Sequence, residues 1–411
     1  MSEDSFAFCH LETDEDIEQY LELMRKVFGL DESVDVLARN LINYHPIMTL
    51  EDHFVIKHHG KIVACLNLIP MKWSIGGVAL KVAEMGMVAT LPEYRHRGLQ
   101  RRLIGEFHKR VADQGYDLSV IEGIPFFYRQ FGYEYAIPLD EETRVRIGQM
   151  PNYELKHEIR LFDDKDIPRA MQLLKQTQKK FYIHSIRDEK IWKMQQKTHM
   201  AKDPPKFEGY TVKENGEIVA YFRIVDNPKD KELVLREITD ADQVVTQSIL
   251  RFLKDMGKNR GHETLVAIDS HHNSFAEHLI SIGGVKRIPS YAWQIRVTDY
   301  VKMFRKMKQL FEKRLATSTY KNLTEKLNFN FRRYTVQMIV ENGTITDIQR
   351  LETNEDRTIG LNPLVFIQLL LGYRSRDELE MIYPDFRIRS SHKHLIDVLF
   401  PRLSSYIHAM F

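Results

Sequence analysis

The chain has 411 residues, of which 43% are apolar and 28% charged, a composition typical of a globular protein with room for two or three domains. Its formal net charge of +2 argues against a dedicated nucleic-acid-binding protein. The two cysteines, Cys9 and Cys65, cannot build a disulfide framework and favour a reducing cytosol. The acidic first residues lack the features of a signal peptide, and no apolar run approaches the roughly 18 residues of a membrane span. We therefore expect a cytoplasmic protein with neither a membrane span nor a nucleic-acid partner.

The first 150 residues are predicted to form a mixed α/β domain. Apolar side chains lie on one face of an opening helix that follows a Thr-Asp cap and ends at Gly29. Alternating apolar residues around His59-Gly60 predict a β-hairpin. The predicted elements are helices at 13–28 and about 34–43, strands at 53–58, 61–75 and about 78–90, a helix at about 98–114, a strand at 117–122, a short helix or turn at 124–131 and a strand from Tyr133.

Residues 151–298 repeat this order of elements. The predicted elements are helices at 164–179 and 188–199, a hairpin at 210–225, a strand at 232–239, a helix at 241–256, a strand at 264–269, a helix at 274–282 and a strand at 291–297. Asn215-Gly216 is a strong hairpin-turn signal. The topology therefore occurs twice. In this copy the acidic segment 239–242 replaces a basic glycine turn and would repel phosphate, so we expect a degenerate domain without a cofactor.

From Asp299 the pattern changes to a separate α+β domain of residues 299–411. The predicted elements are a long amphipathic helix at 300–315, strand-like segments at 328–340 and 344–350 joined by Asn342-Gly343, and helices at 363–373, 376–382 and 393–400. We expect the apolar end of the chain, Ala409-Met410-Phe411, to pack against a core.

The basic turn Arg95–Arg101 in the first domain has the features of a phosphate site. A helix start offers unpaired backbone N–H groups and the positive end of the helix dipole. Gly98 allows a ligand to approach the backbone, and the arginines add positive charge. Together these features favour a phosphate or pyrophosphate, although a solvated basic helix start is the alternative for an isolated turn of this kind.

Two motifs in this region resemble the signatures of the GNAT N-acetyltransferase superfamily. The segment Val88-Ala89-Thr90-Leu91-Pro92-Glu93-Tyr94-Arg95-His96-Arg97-Gly98-Leu99 is similar to its acetyl-CoA signature, a strand followed by (Arg/Gln)-x-x-Gly-x-(Gly/Ala) and a helix. Gln100 stands where the family usually has Gly or Ala. The segment Tyr128-Arg129-Gln130-Phe131-Gly132-Tyr133 resembles its second signature, Tyr-x-x-x-Gly-(Phe/Tyr), 30 residues after Gly98 (128 − 98).

The layout of the whole chain resembles the enhanced-intracellular-survival (Eis) type of acetyltransferase. That resemblance implies an α/β (α+β) architecture of two tandem GNAT-like mixed-sheet domains, active (1–150) and degenerate (151–298), followed by a sterol-carrier-like domain (299–411). It also implies a homo-oligomer, typically a homohexamer. Carried over by position, the general acid is Tyr128 and the general base is the terminal carboxylate of Phe411.

The resemblance implies acetyl-CoA as the cosubstrate and no metal. The expected cofactor-binding residues are Val88, Ala89, Thr90, Arg95, His96, Arg97, Gly98, Leu99, Gln100 and Arg101. In sites of this type a bulged strand exposes N–H groups to the thioester oxygen, here around Val88–Thr90. Glu122, at the end of a strand, is expected either to line the acceptor site or to cap a helix.

We therefore expect an acetyl-CoA-dependent N-acetyltransferase. Its acceptor would be an amine of a small molecule, polyamine or aminoglycoside-like, or a lysine side chain. A polycationic acceptor needs an acidic pocket, and the last residues supply no acidic side chain, although Asp31-Glu32 could contribute. The alternatives are that Tyr128 belongs to an aromatic core, that Phe411 is a buried terminus, and that the protein is a non-catalytic scaffold binding CoA or a lipid in its C-terminal domain.

Overall fold

The structure, a computed structural model, describes residues 6–29, 33–199, 207–269, 274–287, 292–353, 356 and 358–409. Its first part forms β1 (Ala7–His10), α1 (Asp14–Phe28), α2 (Val34–Tyr44), β2 (His53–His58), β3 (Lys61–Ile75), β4 (Val78–Thr90), α3 (Leu99–Asp113), β5 (Leu118–Ile121) and β6 (Glu134–Pro138). The predicted hairpin and helices of this part are confirmed, and Thr13 caps α1 by accepting a hydrogen bond from the Asp16 N–H.

The second part forms β7 (Glu141–Arg146), β8 (Glu158–Leu161), α4 (Ile167–Thr177), β9 (Ile183–Ser185), α5 (Glu189–His199), β10 (Phe207–Glu214), β11 (Glu217–Asn227), β12 (Glu232–Ile238), α6 (Gln243–Asn259), β13 (Thr264–Asp269), α7 (Ser274–Ser281), β14 (Val285–Arg287) and β15 (Ala292–Val297). The acidic turn before α6 has a structural role, because the Asp242 carboxylate caps the helix by accepting from the Val245 N–H.

The third part forms α8 (Tyr300–Ala316), β16 (Glu325–Asn330), β17 (Thr335–Glu341), β18 (Thr344–Leu351), β19 (Ile359–Gly360), α9 (Pro363–Leu370), α10 (Arg376–Ile382), β20 (Arg387–Ile388), α11 (Ser390–Leu399) and β21 (Ser405–Tyr406). The single strand-like segment predicted at 328–340 is wrong. The chain turns after Asn330, where Arg332 adopts a positive φ of 68°, and returns as a separate strand that pairs antiparallel with the first.

Three sheets organise these elements, and two of them exchange strands. The first sheet has the order β1-β2-β3-β4-β5-β15-β6, and β9 joins β3 while β21 joins β9. The second has the order β14-β7-β13-β12-β11-β10-β8, and the third β18-β17-β16-β19-β20. Strand β15 lies late in the chain but between β5 and β6, whereas β7 leaves the first part to join the second sheet. The strand exchange ties the first two parts together through backbone hydrogen bonds.

The two faces of the first sheet pack against different parts of the protein. Ala83 and Met85 on β4 lie in a core shared with α1, α2 and α3. Val82 on β4 and Val120 on β5 point to the opposite face and share a core with α8 and the third sheet. The C-terminal part therefore covers the face of the first sheet opposite to α3.

Candidate functional site

Strand β4 carries a β-bulge shortly before it ends. Leu66 on β3 stands opposite two residues of β4, Met87 and Val88, and Met87 adopts a positive φ of 52°. A bulge of this kind breaks the regular ladder and turns backbone groups away from the neighbouring strand. The bulge expected around Val88–Thr90 is thus present, one residue further towards the N-terminus.

Beside this bulge the parallel strands β4 and β5 separate. Their pairing ends at Glu84 and Val120, yet β4 continues to Thr90 while β5 ends at Ile121. Beyond Glu84, one edge of β4 remains paired with β3, whereas its other edge is no longer paired with β5. The backbone of the bulge therefore borders an opening at the carboxyl ends of two parallel strands, where α/β sheets commonly bind ligands.

The basic turn reaches the start of α3 through two left-handed residues. His96 and Gly98 adopt positive φ angles of 62° and 76°. No side chain of the described residues caps the helix, and its first backbone hydrogen bond runs from the Arg102 N–H to the Gly98 carbonyl. Space around Gly98 is open, because a Cβ added there would meet no atom within 4 Å. The helix start thus presents unbonded N–H groups to an open surface.

The arginines of the turn are not equivalent. Arg97 stacks over the ring of Tyr94, and Arg101 donates to the Gln130 side chain over the ring of Phe131. Arg95 is exposed and makes no ion pair with any described residue. Arg95 is therefore the arginine of this turn whose charge is most available to an anion.

Gln100, the departure from the family pattern, turns its side chain into the protein. Its amide nitrogen donates to the Ala89 carbonyl (2.7 Å), the Thr90 hydroxyl (2.9 Å) and the Cys65 carbonyl (3.2 Å). The side chain therefore ties the start of α3 to the bulged strand. Only the backbone N–H of Gln100 remains for the expected cofactor contact.

Tyr128 begins a short 3₁₀ helix and is 4% exposed. Its ring makes edge contacts with Phe127 (5.0 Å between ring centroids) and Tyr133 (6.1 Å). Gly123, directly after Glu122, lies against the same ring: a Cβ added to Gly123 would come within 2.1 Å of Tyr128 Cε2. The second motif thus places a buried tyrosine beside the end of β5.

Carboxyl groups gather on one face of the sheet at this point. Glu84 pairs with Val120 in the parallel ladder, and Glu122 lies two residues beyond Val120, so both glutamates project from the same face. Burial raises the pKa of Glu84 well above its usual value, with a further contribution from Glu122, and one buried Glu84 oxygen has no hydrogen-bond partner among the described residues. Asp140 is also near, and burial raises its pKa.

Glu122 has both exposed surface and a strongly raised pKa. Burial within surrounding protein and then the Asp140 carboxylate raise its pKa to about 7, while the guanidinium of Arg236 opposes them. The two properties are compatible, because a side chain at the floor of an open cleft keeps contact with water while protein surrounds it. Glu122 is therefore the exposed member of a group of carboxyls with Glu84 and Asp140, and we call this group the acidic cleft.

The second sheet and the end of the chain complete this cleft. Arg236 on β12 faces Glu122 and Asp140, and the Tyr406 hydroxyl hydrogen-bonds to Asp140. The last described residue, Ala409, has its carbonyl held by Arg187 (3.2 Å) and Gln195 (3.0 Å). Phe411, predicted to supply the general base, lies outside the described residues, as do Asp31 and Glu32.

Several residues of the cleft escaped prediction from the sequence. Glu84 gave a usable signal, since an acid within the apolar run Val82–Met85 of a buried strand is unusual. Asp140 and Arg236 gave none, because strand exchange and domain packing bring them to Glu122.

Comparison with known proteins identifies the first part of the chain. Residues 10–136 match the family model of the acetyltransferase (GNAT) domain. These residues form a GNAT acetyltransferase domain. The bulge, the separation of β4 and β5, and the basic turn all lie within the GNAT domain.

The resemblance to the Eis type is confirmed by both sequence and fold. The chain is 39% identical over 69 residues to N-acetyltransferase Eis of Mycobacterium tuberculosis, a match covering 16% of this chain and 17% of Eis. At 15% identity, the fold matches a GCN5-related N-acetyltransferase from Anabaena variabilis (TM-score 0.74, 99% of this chain and 100% of that chain). It also matches Eis1 from Mycobacterium abscessus at 15% identity (TM-score 0.65, 98% and 100%). The α/β fold with several mixed sheets is thereby confirmed along the whole chain.

Two features of the described residues bear on other functions. None of their helices is long and apolar enough to cross a membrane. No group of three or more His, Cys, Asp and Glu side chains within them could hold a metal ion.

Proposed function

We propose that this protein is an acetyl-CoA-dependent N-acetyltransferase whose acceptor is an amine of a small molecule, polyamine or aminoglycoside-like, or a lysine side chain. The observation that carries the proposal is the juxtaposition of a bulged, half-paired strand with an uncapped basic helix start. A thioester ligand with a pyrophosphate needs both features, one for its carbonyl oxygen and one for its phosphates.

In this proposal the pyrophosphate of acetyl-CoA binds the turn Arg95–Arg101. The backbone N–H groups at the start of α3 and the Arg95 guanidinium hold the phosphate charge. The pantetheine arm then runs along the free edge of β4, as an extra strand would, and the thioester oxygen accepts from backbone N–H groups of Val88–Thr90. Gln100 supports this arrangement by fixing the distance between α3 and β4.

The acceptor amine binds in the acidic cleft. An ammonium group is attracted by ionised Glu122, with Glu84 and Asp140 beside it. Ionised Glu122 supplies the acidity that the terminal segment lacks, and so supports a polyamine, aminoglycoside-like or lysine acceptor. Before attack the ammonium must lose a proton, and we assign that step to the terminal carboxylate of Phe411.

The transfer step conserves atoms and charge. The amine nitrogen attacks the thioester carbon, the oxyanion is stabilised at the bulge, and the C–S bond then breaks. The departing thiolate takes the proton of the Tyr128 hydroxyl, the former amine nitrogen loses its surplus proton, and the Tyr128 oxyanion regains one proton, so that neutral amide, coenzyme A and neutral Tyr128 remain. Because an unperturbed thiol has a pKa of about 8.5 and an unperturbed tyrosine a pKa of about 10, this donation is uphill by only about 2 kcal/mol. Placement at hydrogen-bonding distance can offset a cost of that size.

The remaining features implied by the Eis resemblance are also proposals. They are a cytoplasmic location, a homo-oligomer such as a hexamer, and domains at 1–150, 151–298 and 299–411, the last sterol-carrier-like. The core of the C-terminal part is filled by its own aromatic side chains, whose ring centroids lie 5.0–6.1 Å apart: Phe304, Phe311, Phe329, Phe366 and Phe400. This packing does not favour the alternative of a lipid-binding scaffold.

The test is release of coenzyme A from acetyl-CoA with a panel of amines, for wild type and Tyr128→Phe. We expect turnover with at least one polyamine, aminoglycoside or lysine peptide. In Tyr128→Phe kcat should fall by roughly 10²-fold, while the Kd of acetyl-CoA stays unchanged. Turnover equal to wild type would remove Tyr128 as the acid, and an inactive wild type that binds lipid tightly would favour the scaffold.

A further inference from the structure

A buried charged cluster in the second part of the chain has no role in the chemistry above. It consists of Arg187, Arg223 and Glu237, and both guanidiniums lie near the Trp192 ring, 4.4 and 4.7 Å from its centroid. The Arg187 side chain is 0% exposed and donates to Glu237 at 2.9 Å. Burial alone would raise the pKa of Glu237, but the two arginines hold it below its usual range. One carboxylate thus serves two buried arginines, an arrangement that is costly unless further acceptors are present.

Further acceptors are the Tyr221 hydroxyl (3.3 Å from Arg187 Nη2), the Gln195 side chain and the backbone of the tail. The Ala409 carbonyl accepts from Arg187 Nη1 (3.2 Å) and from Gln195 Nε2 (3.0 Å), while Gln195 Oε1 accepts from both arginines. The hydrogen bonds of the cluster therefore extend to the backbone carbonyl of Ala409, two residues before Phe411.

The preceding residues of the tail, 403–409, are held at several points. β21 pairs in parallel with β9, the Tyr406 hydroxyl bonds to Asp140, and His408 is buried against the Gln178 side chain. Burial lowers the pKa of His408 to about 3, so this imidazole adds no charge near neutral pH. The contacts of the tail thus continue to its last described residue, Ala409.

Arg223 and Glu237 of the cluster lie beside a β-bulge in the second sheet. β11 and β12 change register between Arg223 and Ile224, so that Arg236 is the extra residue of a bulge like that of β4 in the GNAT domain. Two residues of this second bulge contact different parts of the protein. Arg236 faces the acidic cleft, and Glu237 bonds to Arg187. This part of the degenerate domain thus serves the neighbouring site and the tail.

We propose that Arg187 is a positioning residue, which fixes the Ala409 carbonyl so that the C-terminus completes the active site of the GNAT domain. The inference rests on the proposed function, because it assigns the terminal carboxylate a part in catalysis. It gives the degenerate domain a task, which is to hold the tail through Arg187 and Gln195.

A double-mutant cycle with the full chain tests this proposal. Arg187→Met is combined with removal of residues 410–411, and kcat is measured with saturating acetyl-CoA and amine. In the complete chain Arg187→Met should lower kcat by roughly tenfold or more with little change in the KM of acetyl-CoA, and in the shortened chain it should cause no further fall. Arg160→Met is the control, since it breaks an arginine–carboxylate pair of the same domain, to buried Asp166, and the described hydrogen bonds of Arg160 run to Leu161 and Asp166, not to the tail.

Hydrogen exchange gives a readout that is independent of catalysis. Amides of residues 405–409 should exchange faster in Arg187→Met than in wild type or Arg160→Met. Gln195→Leu, which removes the other donor to Ala409 without removing a charge, carries the same expectations if Arg187→Met does not fold.

The outcomes separate this inference from the proposed mechanism. Equal falls in kcat in complete and shortened chains, or unchanged exchange of the tail, would overturn the role of Arg187 while leaving the base assignment intact. A shortened chain with full turnover would overturn the terminal carboxylate as the base and Arg187 as its positioning residue, yet acetyl transfer itself would stand.

Discussion

The ring of Tyr128 lies directly on the backbone of Gly123, so closely that a Cβ on Gly123 would come within 2.1 Å of Tyr128 Cε2 and 2.8 Å of Cζ. The Gly123 carbonyl is itself fixed by a hydrogen bond from Gln294 on β15 (2.7 Å). Neither partner can retreat easily, because Tyr128 is buried among aromatic rings. The absence of a side chain at residue 123 therefore sets the position of the proposed general acid.

Gly123→Ala should displace Tyr128 and lower kcat by roughly 10²-fold, since general acid catalysis depends on hydrogen-bonding distance. The KM of acetyl-CoA should change little. Gly105→Ala is the control: Gly105 lies on α3 with no atom within 4 Å of an added Cβ, and this change should stabilise the helix by about 1 kcal/mol. Steady-state kinetics and thermal melts of both variants decide the matter, and wild-type kcat in Gly123→Ala would contradict it.

The pKa of Glu122, raised by burial and by Asp140 to about 7, predicts a pH dependence of acceptor use. The carboxyl is mostly neutral at pH 6 and mostly ionised at pH 8, and only the ionised form attracts an ammonium group. The ratio of kcat/KM for the amine between wild type and Glu122→Gln should therefore rise roughly tenfold from pH 6 to pH 8. Using a ratio cancels the titration of the amine. A ratio that is flat with pH, as expected for the exposed Glu93→Gln, would rule out this role.

Glu84 predicts a pH dependence of stability. Burial and Glu122 raise its folded-state pKa well above the ordinary value of 4.5, so the folded protein retains a proton that the unfolded chain loses. Stability from this group is fully present below pH 4.5 and decreases as pH rises towards the folded pKa. Glu84→Gln keeps the shape without the titration, so its Tm relative to wild type should be higher at pH 8 than at pH 5. The exposed Glu277→Gln should show the same difference at both pH values, and an equal difference for Glu84→Gln would refute the assignment.

Arg97 stacks over Tyr94 and Arg101 bonds to Gln130, whereas Arg95 is exposed and has no such contact with a described residue, which predicts a direct role for Arg95 in phosphate binding. Arg95→Ala should raise the KM of acetyl-CoA by roughly tenfold at low salt and leave kcat nearly unchanged, with a smaller effect as ionic strength rises. Arg146→Ala, an exposed arginine at the end of β7, should leave this KM unchanged. If both variants bind acetyl-CoA as wild type does, the phosphate site lies elsewhere.

Local signals in the sequence were sufficient to predict those turns and helix starts whose backbone conformation depends only on adjacent residues. Arg95 and Gly98 indicated the turn, because a left-handed residue before a helix start is a local requirement of the backbone. Gly60 and Asn215-Gly216 located hairpins for the same reason. The turn after Asn330 was missed, since Arg332 is a residue type that seldom adopts a positive φ and so gives no signal.

Contacts between distant segments could not be derived in this way. Strand β15 enters the first sheet between β5 and β6, and no periodicity of residues 292–297 specifies that partner, because any apolar strand can pair with any sheet edge. Gln100 likewise stands where the family motif has a small residue. Only the structure shows that its side chain turns into the protein and bonds to the carbonyls of Ala89 and Cys65.

The sequence by itself determined the GNAT motifs and the order of elements, because helix starts, turns and apolar periodicity are properties of short segments. Tertiary structure alone brought Glu84, Glu122 and Asp140 together and placed Arg236 opposite them. It also decided that Arg187 would hold the carbonyl of Ala409, 222 residues away. Burial of charge depends on what packs around each group, and here those neighbours come from three separate parts of the chain.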